Sequence, residues 1–174
     1  LYQRSHQYQQ DDRGHLCTFT GLVLKSATAR WFHIGDSRLY LLRAGKLRQI
    51  STDHTTKLSE NRQFLGRALG MDEQVQWLHG AVPLEAGDLF LLCSDGLSDF
   101  VSDAEITGIL LATQSLQQQV EALLQAAQHS DDNISVVLAK VRQLPAESLD
   151  DYNERLTRLP FLPALDAGMK VDGY

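Results

Sequence analysis

The sequence predicts an α+β fold built around a largely antiparallel sheet. Three observations lead there. Segments rich in β-branched and aromatic residues fill the first half of the chain, two helix-start signatures follow at residues 102 and 115, and one apolar strand-like segment returns at 134–141. Strands first, a helix pair next and one returning strand is the order of a segregated α+β domain.

The elements follow in order. Residues 1–15 are polar and Gln-rich, and read as a helix end followed by a loop. Residues 16–24 and 30–34 read as strands. Residues 38–42 and 46–50 flank Arg43-Ala44-Gly45, which predicts a hairpin with a short turn. Residues 53–70 are mixed in character and read as loop plus a short helix, and 75–82 as a further strand. A turn at Pro83–Asp88 leads into Leu89–Cys93, apolar enough to be buried on both faces. Ser102 and Glu105 form a capping box ahead of a helix over about 103–113. Ser115 and Gln118 repeat the signature, and Leu116, Val120, Leu123, Leu124 and Ala127 then fall on one apolar stripe. Pro145, Pro160 and Pro163 punctuate a stretch without period, so 1–144 reads as the domain and 145–174 as linker.

Composition bounds the function. The 174 residues allow one domain, or part of a larger one with a tail. With 43% hydrophobic and 22% charged residues the chain is not disordered throughout. No apolar run approaches the roughly 20 residues that span a bilayer. A formal charge of −6 argues against a nucleic-acid or anionic-membrane surface. Cys17 and Cys93 each sit in an apolar stretch and read as buried free thiols of a reducing, cytoplasmic compartment.

Three acidic motifs share one design. Gly35-Asp36-Ser37 follows an apolar strand, Ser94-Asp95-Gly96 follows another, and Asp131-Asp132-Asn133 precedes the last. Each sets a carboxylate at a strand end beside residues that turn tightly. Gathered aspartates repel one another and call for a cation, and hard oxygen donors suit Mg²⁺ or Mn²⁺ better than zinc. Taken singly, each motif reads first as a turn residue or helix cap, and only their joint presence points to a ligand set.

The set GDSRLYLLRAGKL (35–47), TDHT (52–55), LGRALG (65–70), GDLFLLCSDGLSD (87–99) and DDNISVVL (131–138) resembles the bacterial metal-dependent serine/threonine protein phosphatases of type 2C, over roughly residues 16–142. That resemblance implies a four-layer α-β-β-α sandwich of two mostly antiparallel sheets, incomplete at the N-terminus here. It implies two Mn²⁺ or Mg²⁺ ions, and hydrolysis of phosphoserine or phosphothreonine on proteins by metal-activated water, without a side-chain nucleophile. Asp95 and Asp132 match ligands of the metal pair. Asp36 and Asp99 resemble acids of a third, weaker site. Asn133 matches a residue that orients Asp132 from behind. His54 and Arg67 match family positions, read as support for the site's loops or as substrate contacts. Asp131 reads as a solvated neighbour and His33 as a packing or outward-facing residue. Arg38 reads either as a partner of the acids or as half of a structural ion pair.

The family's first motifs are absent: an Arg that holds phosphate, an Asn-Glu-Asp acid, and an Asp-Gly-(Met/His)-Gly-Gly segment. The chain also opens without Met. It therefore reads as the C-terminal two-thirds of such a domain, with an incomplete metal centre, an exposed sheet edge and weak or no activity. The insertion after the TDH motif is short, with only residues 55–64 between His54 and Leu65, which predicts an open site. Residues 162–174 resemble the lead-in to a bacterial protein kinase, so phosphoprotein substrates and a cognate or fused kinase are the expected partners. The competing readings are a non-catalytic module of the same fold that binds a phosphoprotein or kinase, and a related phosphatase acting on anti-sigma-antagonist proteins.

Overall fold

The computed structural model describes residues 16–59, 62–112 and 115–145. Two units divide the chain, Leu1–Leu144 and Pro145–Tyr174; the first is described here. The readings made for 1–15 and for the tail beyond Pro145 lie outside the described residues.

Nine strands are described: β1 (Phe19–Lys25), β2 (Thr28–Ile34), β3 (Arg38–Arg43), β4 (Lys46–Gln49), β5 (Thr55–Ser59), β6 (Arg62–Leu65), β7 (Leu78–Pro83), β8 (Leu89–Cys93) and β9 (Val136–Lys140). They form a β1-β2-β7 sheet, a β4-β3-β8-β9 sheet and a β5-β6 ribbon, antiparallel at every pairing. The helices are α1 (Asp95–Ser98), α2 (Asp103–Leu111) and α3 (Leu116–Ala126).

Strands β3 and β8 are apolar on both faces because both faces are covered. On one face Tyr40, Leu42, Leu89 and Leu91 pack with Ile106, Leu110 and Leu123 of the helices. On the other, Leu39, Leu41 and Phe90 pack with Ala29, Trp31 and Val82 of the three-stranded sheet. The order is sheet, sheet, helices. The outer face of the three-stranded sheet is only partly covered: Ile34 is buried and Trp77 packs edge-on against Phe19 at 5.6 Å, while Phe19 and Phe32 stay 46% and 42% exposed.

Both capping boxes form, with Ser102 and Ser115 each accepting from the backbone N–H three residues on. Each is worth about 1 kcal/mol. The α3 stripe is rotated from the expected one. Leu124 is 38% exposed, while Gln119 is buried. The reason is polar: Gln119 Nε2 donates to the carbonyls of Leu110 and Ala112, which α2 leaves unpaired at its end.

Two further expectations fail. Residues 53–70 hold the β5–β6 hairpin, not a short helix; pairing across the turn overrides the weak local pattern. Cys17 is exposed, and only Cys93 is buried; both thiols are free. Cys17 forms an isolated bridge with Leu69 at the sheet's margin, which leaves its side chain uncovered. Among the described residues no helix is long and apolar enough to cross a membrane.

One ion pair ties the far end of the sheets. Arg43 Nε and one terminal nitrogen donate to the two Asp88 carboxylate oxygens at 2.7 and 2.6 Å, and the Asp88 side chain is 1% exposed. Burial alone would push the Asp88 carboxyl up, but the Arg43 bonds and the Glu85 backbone N–H bring it below the usual carboxylate range. Arg43→Ala strands that charge, at a cost of about 3 kcal/mol. A depressed folded value means the stabilisation is present above the unfolded value, near 3.9, and is lost as pH falls through the folded one. Urea midpoints of wild type and variant should therefore differ at pH 7 and draw together at pH 3. Equal midpoints at pH 7 would sink the assignment.

Candidate metal centre

Strand register decides what meets at the opposite end. Arg38 pairs with Cys93 at the last rung of β3 and β8, so Asp36, just before β3, and Asp95, just after β8, leave the same end of the sheet. Cys93 pairs with Val136 across β8 and β9, which brings the turn bearing Asp95 beside the loop bearing Asp132. Three acids far apart in sequence thus leave one end of one sheet.

Close packing fixes these turns. Gly96 lies against the Asp132-Asn133 loop: a Cβ there would stand 2.6 Å from the Asn133 carbonyl oxygen. Ser94 clamps the same loop. Its hydroxyl donates to the Asn133 carbonyl at 3.0 Å and accepts from the Ser135 N–H at 2.9 Å. Gly35 has φ +110°, and a Cβ would overlap Thr18. Its N–H donates to His54 Nδ1 and its carbonyl accepts the His54 N–H, at 3.1 and 2.8 Å. The His54 carbonyl in turn accepts from Gly66 at 2.6 Å.

The side chains follow. Asp95 Oδ1 accepts from the Gly96 N–H at 3.0 Å, and Asp132 Oδ1 from the Asn133 N–H at 2.7 Å. Asn133 thus touches Asp132 through its backbone. Asp131 is exposed. Arg38 grips Asp53 with Nε at 2.9 Å and a terminal nitrogen at 2.8 Å, and reaches the Tyr40 hydroxyl at 3.1 Å. Gln49 completes the Asp53 shell at 2.7 Å. Both readings of Arg38 therefore meet: it is half of an ion pair, set among the acids. Asp53 is the residue sequence reasoning missed; its signal was the neighbouring His54 motif.

The field at this end is negative. Burial raises the Asp36 carboxyl above its usual range, and the charges of Asp95, Asp53 and Asp99 add to it. Burial also raises Asp99, which Arg38 opposes and Asp95 reinforces. Behind the acids, His33 is fully buried. Its Nε2 donates to the Thr52 carbonyl at 3.0 Å while Nδ1 faces the Thr20 hydroxyl at 3.0 Å. His54 stacks at 5.1 Å from it. Burial lowers both rings; His33 and Arg67 lower His54 further, while the bond to the Thr52 carbonyl and the charge of Asp53 only partly offset the fall at His33. These are neutral braces for the Asp36 and Asp53 turns. The Cys93 thiol is pushed up to about 12 by burial, so it is no nucleophile at neutral pH.

Carboxylate oxygens at a partly solvated edge are the donors a hard divalent cation takes, and a cation relieves the repulsion that raises Asp36. Among the described residues no three His, Cys, Asp or Glu side chains gather closely enough to hold an ion by themselves. The donor chemistry fits, and the described set is short of a full shell.

Residues 2–141 match the family model of protein phosphatase 2C. The chain belongs to the protein phosphatase 2C family. Protein phosphatase PhpP of Streptococcus pneumoniae is 30% identical, over 83% of this chain and 67% of its own length. A serine/threonine phosphatase of Listeria welshimeri is 30% identical over 76% of this chain, which spans 59% of that relative. The crystal structure of the Mycobacterium tuberculosis phosphatase PstP is similar with a TM-score of 0.69 at 30% identity, covering 82% of this chain and 68% of that one. The PstP catalytic domain has also been solved in complex with two manganese ions, at 31% identity, a TM-score of 0.69 and coverage of 82% and 66%. The family is one of metal-dependent serine/threonine protein phosphatases, and the α+β sandwich expected from the sequence is the fold of these neighbours.

Proposed function

We propose that this phosphatase 2C domain hydrolyses phosphoserine and phosphothreonine on proteins. The observation that carries the reading is the convergence of the Asp36, Asp95 and Asp132 turns at one sheet end in a member of this family. Asp95 and Asp132 hold Mn²⁺ or Mg²⁺, Asp36 and Asp99 flank a further, weaker site, and the completing donors come from outside the described residues. Bound divalent cations acidify water and neutralise the phosphate. The chain's own residues do the rest. Ser94 and Gly96 lock the Asp95 and Asp132 turns together, and Asp53, Arg38 and His54 brace Asp36 from behind. We place the domain in the cytoplasm, with phosphoproteins and a serine/threonine kinase as partners.

The test is hydrolysis of a phosphothreonine peptide with Mn²⁺, using this chain and a form extended upstream by about 80 residues. Chelator-sensitive turnover in the longer form is the expected result. Turnover in neither form sinks the reading. The short donor set among the described residues would then favour a module that binds phosphoproteins without turnover.

A further inference from the structure

A groove of about 360 Å³ lies beside the acidic end. Its floor is Ile34 and Ala68, each 3% exposed. Arg67 lines it, as do Asp72, Glu73, Gln74, Val75 and Gln76. The backbone fixes its orientation. Gly66 is bonded to His54, and His54 to Gly35, so the Arg67 end lies toward Asp36. Leu69 is bonded in both directions to Cys17, and Met71 N–H to the Ala68 carbonyl, so the loop is tied down before Asp72. Asp72 and Glu73 are exposed, and among the described residues neither has an ion-pair partner.

We propose that this groove binds the polypeptide next to the phosphorylated residue and selects a basic side chain there. The inference rests on the phosphatase reading for its substrate and adds the sequence preference. The chemistry is complementary along its length. Ile34 and Ala68 close the floor, so an extended segment would lie along the side chains that wall the groove. Gln74 and Gln76 offer amide donors and acceptors to a peptide backbone. Arg67 stands at the end nearest the acids, where it repels a basic side chain and accommodates the phosphate. The two unpaired carboxylates stand at the other end, where a Lys or Arg of the substrate completes them. No side chain of this chain competes for that place among the described residues.

The experiment uses two fluorescent peptides with a central threonine, one flanked by arginines and one by glutamates, unphosphorylated and without metal. Anisotropy should show the arginine peptide binding about fivefold more tightly, the size expected for one or two exposed ion pairs. The preference should vanish in Asp72→Asn/Glu73→Gln, whose exposed loop positions leave the fold intact, as an unchanged melting temperature verifies. No preference in the wild type, or a preference that survives the double substitution, overturns the proposal. Hydrolysis of p-nitrophenyl phosphate with Mn²⁺, measured beside the binding in the form extended upstream, separates the two claims. Preference without turnover sinks the hydrolase reading and supports the groove; turnover without preference does the reverse.

Discussion

Asp95→Asn and Asp132→Asn should each lower Mn²⁺-dependent phosphopeptide hydrolysis by about a hundredfold or more, with the fold intact. Substitutions around metal ligands already cost about ten- to a hundredfold, and a ligand itself costs at least that. The swap is close to isosteric. Asp95 Oδ1 accepts the Gly96 N–H, and Asp132 Oδ1 the Asn133 N–H; an asparagine carbonyl oxygen can accept both. What is lost is charge. The loss also relieves a neighbour, because Asp95 helps to hold the Asp36 carboxyl above its usual range. The Asp95 variant should therefore melt no lower than wild type in chelator while failing to gain stability from Mn²⁺. Rates near wild type would refute the ligand assignment, and a collapse in melting temperature would mean that the acids are structural. The measurement belongs in whichever chain length is active.

The parts of the fold that could be read from sequence are those with strong local chemistry. The capping boxes at Ser102 and Ser115 announce helices by two reciprocal bonds each. The LFLL run of β8 announces a strand covered on both faces. Illegible parts depend on distant partners. Nothing local marks Thr55–Ser59 as a strand, since its reason is Arg62–Leu65 across the turn. Gln119 is buried for the sake of carbonyls at the end of another helix. At the site, the acids of GDSR, SDG and DN stood out as motifs. Their braces did not: Asp53 acquires its role only when folding delivers Arg38 and Gln49 to it. The groove residues Asp72 and Glu73 carry no motif at all, because what they have in common is a place.

Gly96→Ala tests whether that end of the sheet is as tightly built as it looks. Alanine is the better helix former by about 1 kcal/mol, and Gly96 sits in α1, so local propensity alone predicts a gain. Packing predicts the opposite. The new Cβ would stand 2.6 Å from the Asn133 carbonyl oxygen and 3.1 Å from its carbon. Both are backbone atoms, and no side chain can rotate away. The loop cannot retreat cheaply either, since Ser94 holds that carbonyl and the Ser135 N–H. Overpacking of this kind costs about 1–3 kcal/mol, more than the propensity gain. Moving the loop also moves Asp132. The expected result is a lower urea midpoint together with a loss of Mn²⁺-dependent activity approaching that of Asp132→Asn. Gly108→Ala is the matched control. It lies in α2 with nothing within 4 Å of its Cβ position, so the same substitution should stabilise the domain and spare activity. If both alanines stabilise, the Asn133 contact is soft, and the acidic turns are not held as the site requires.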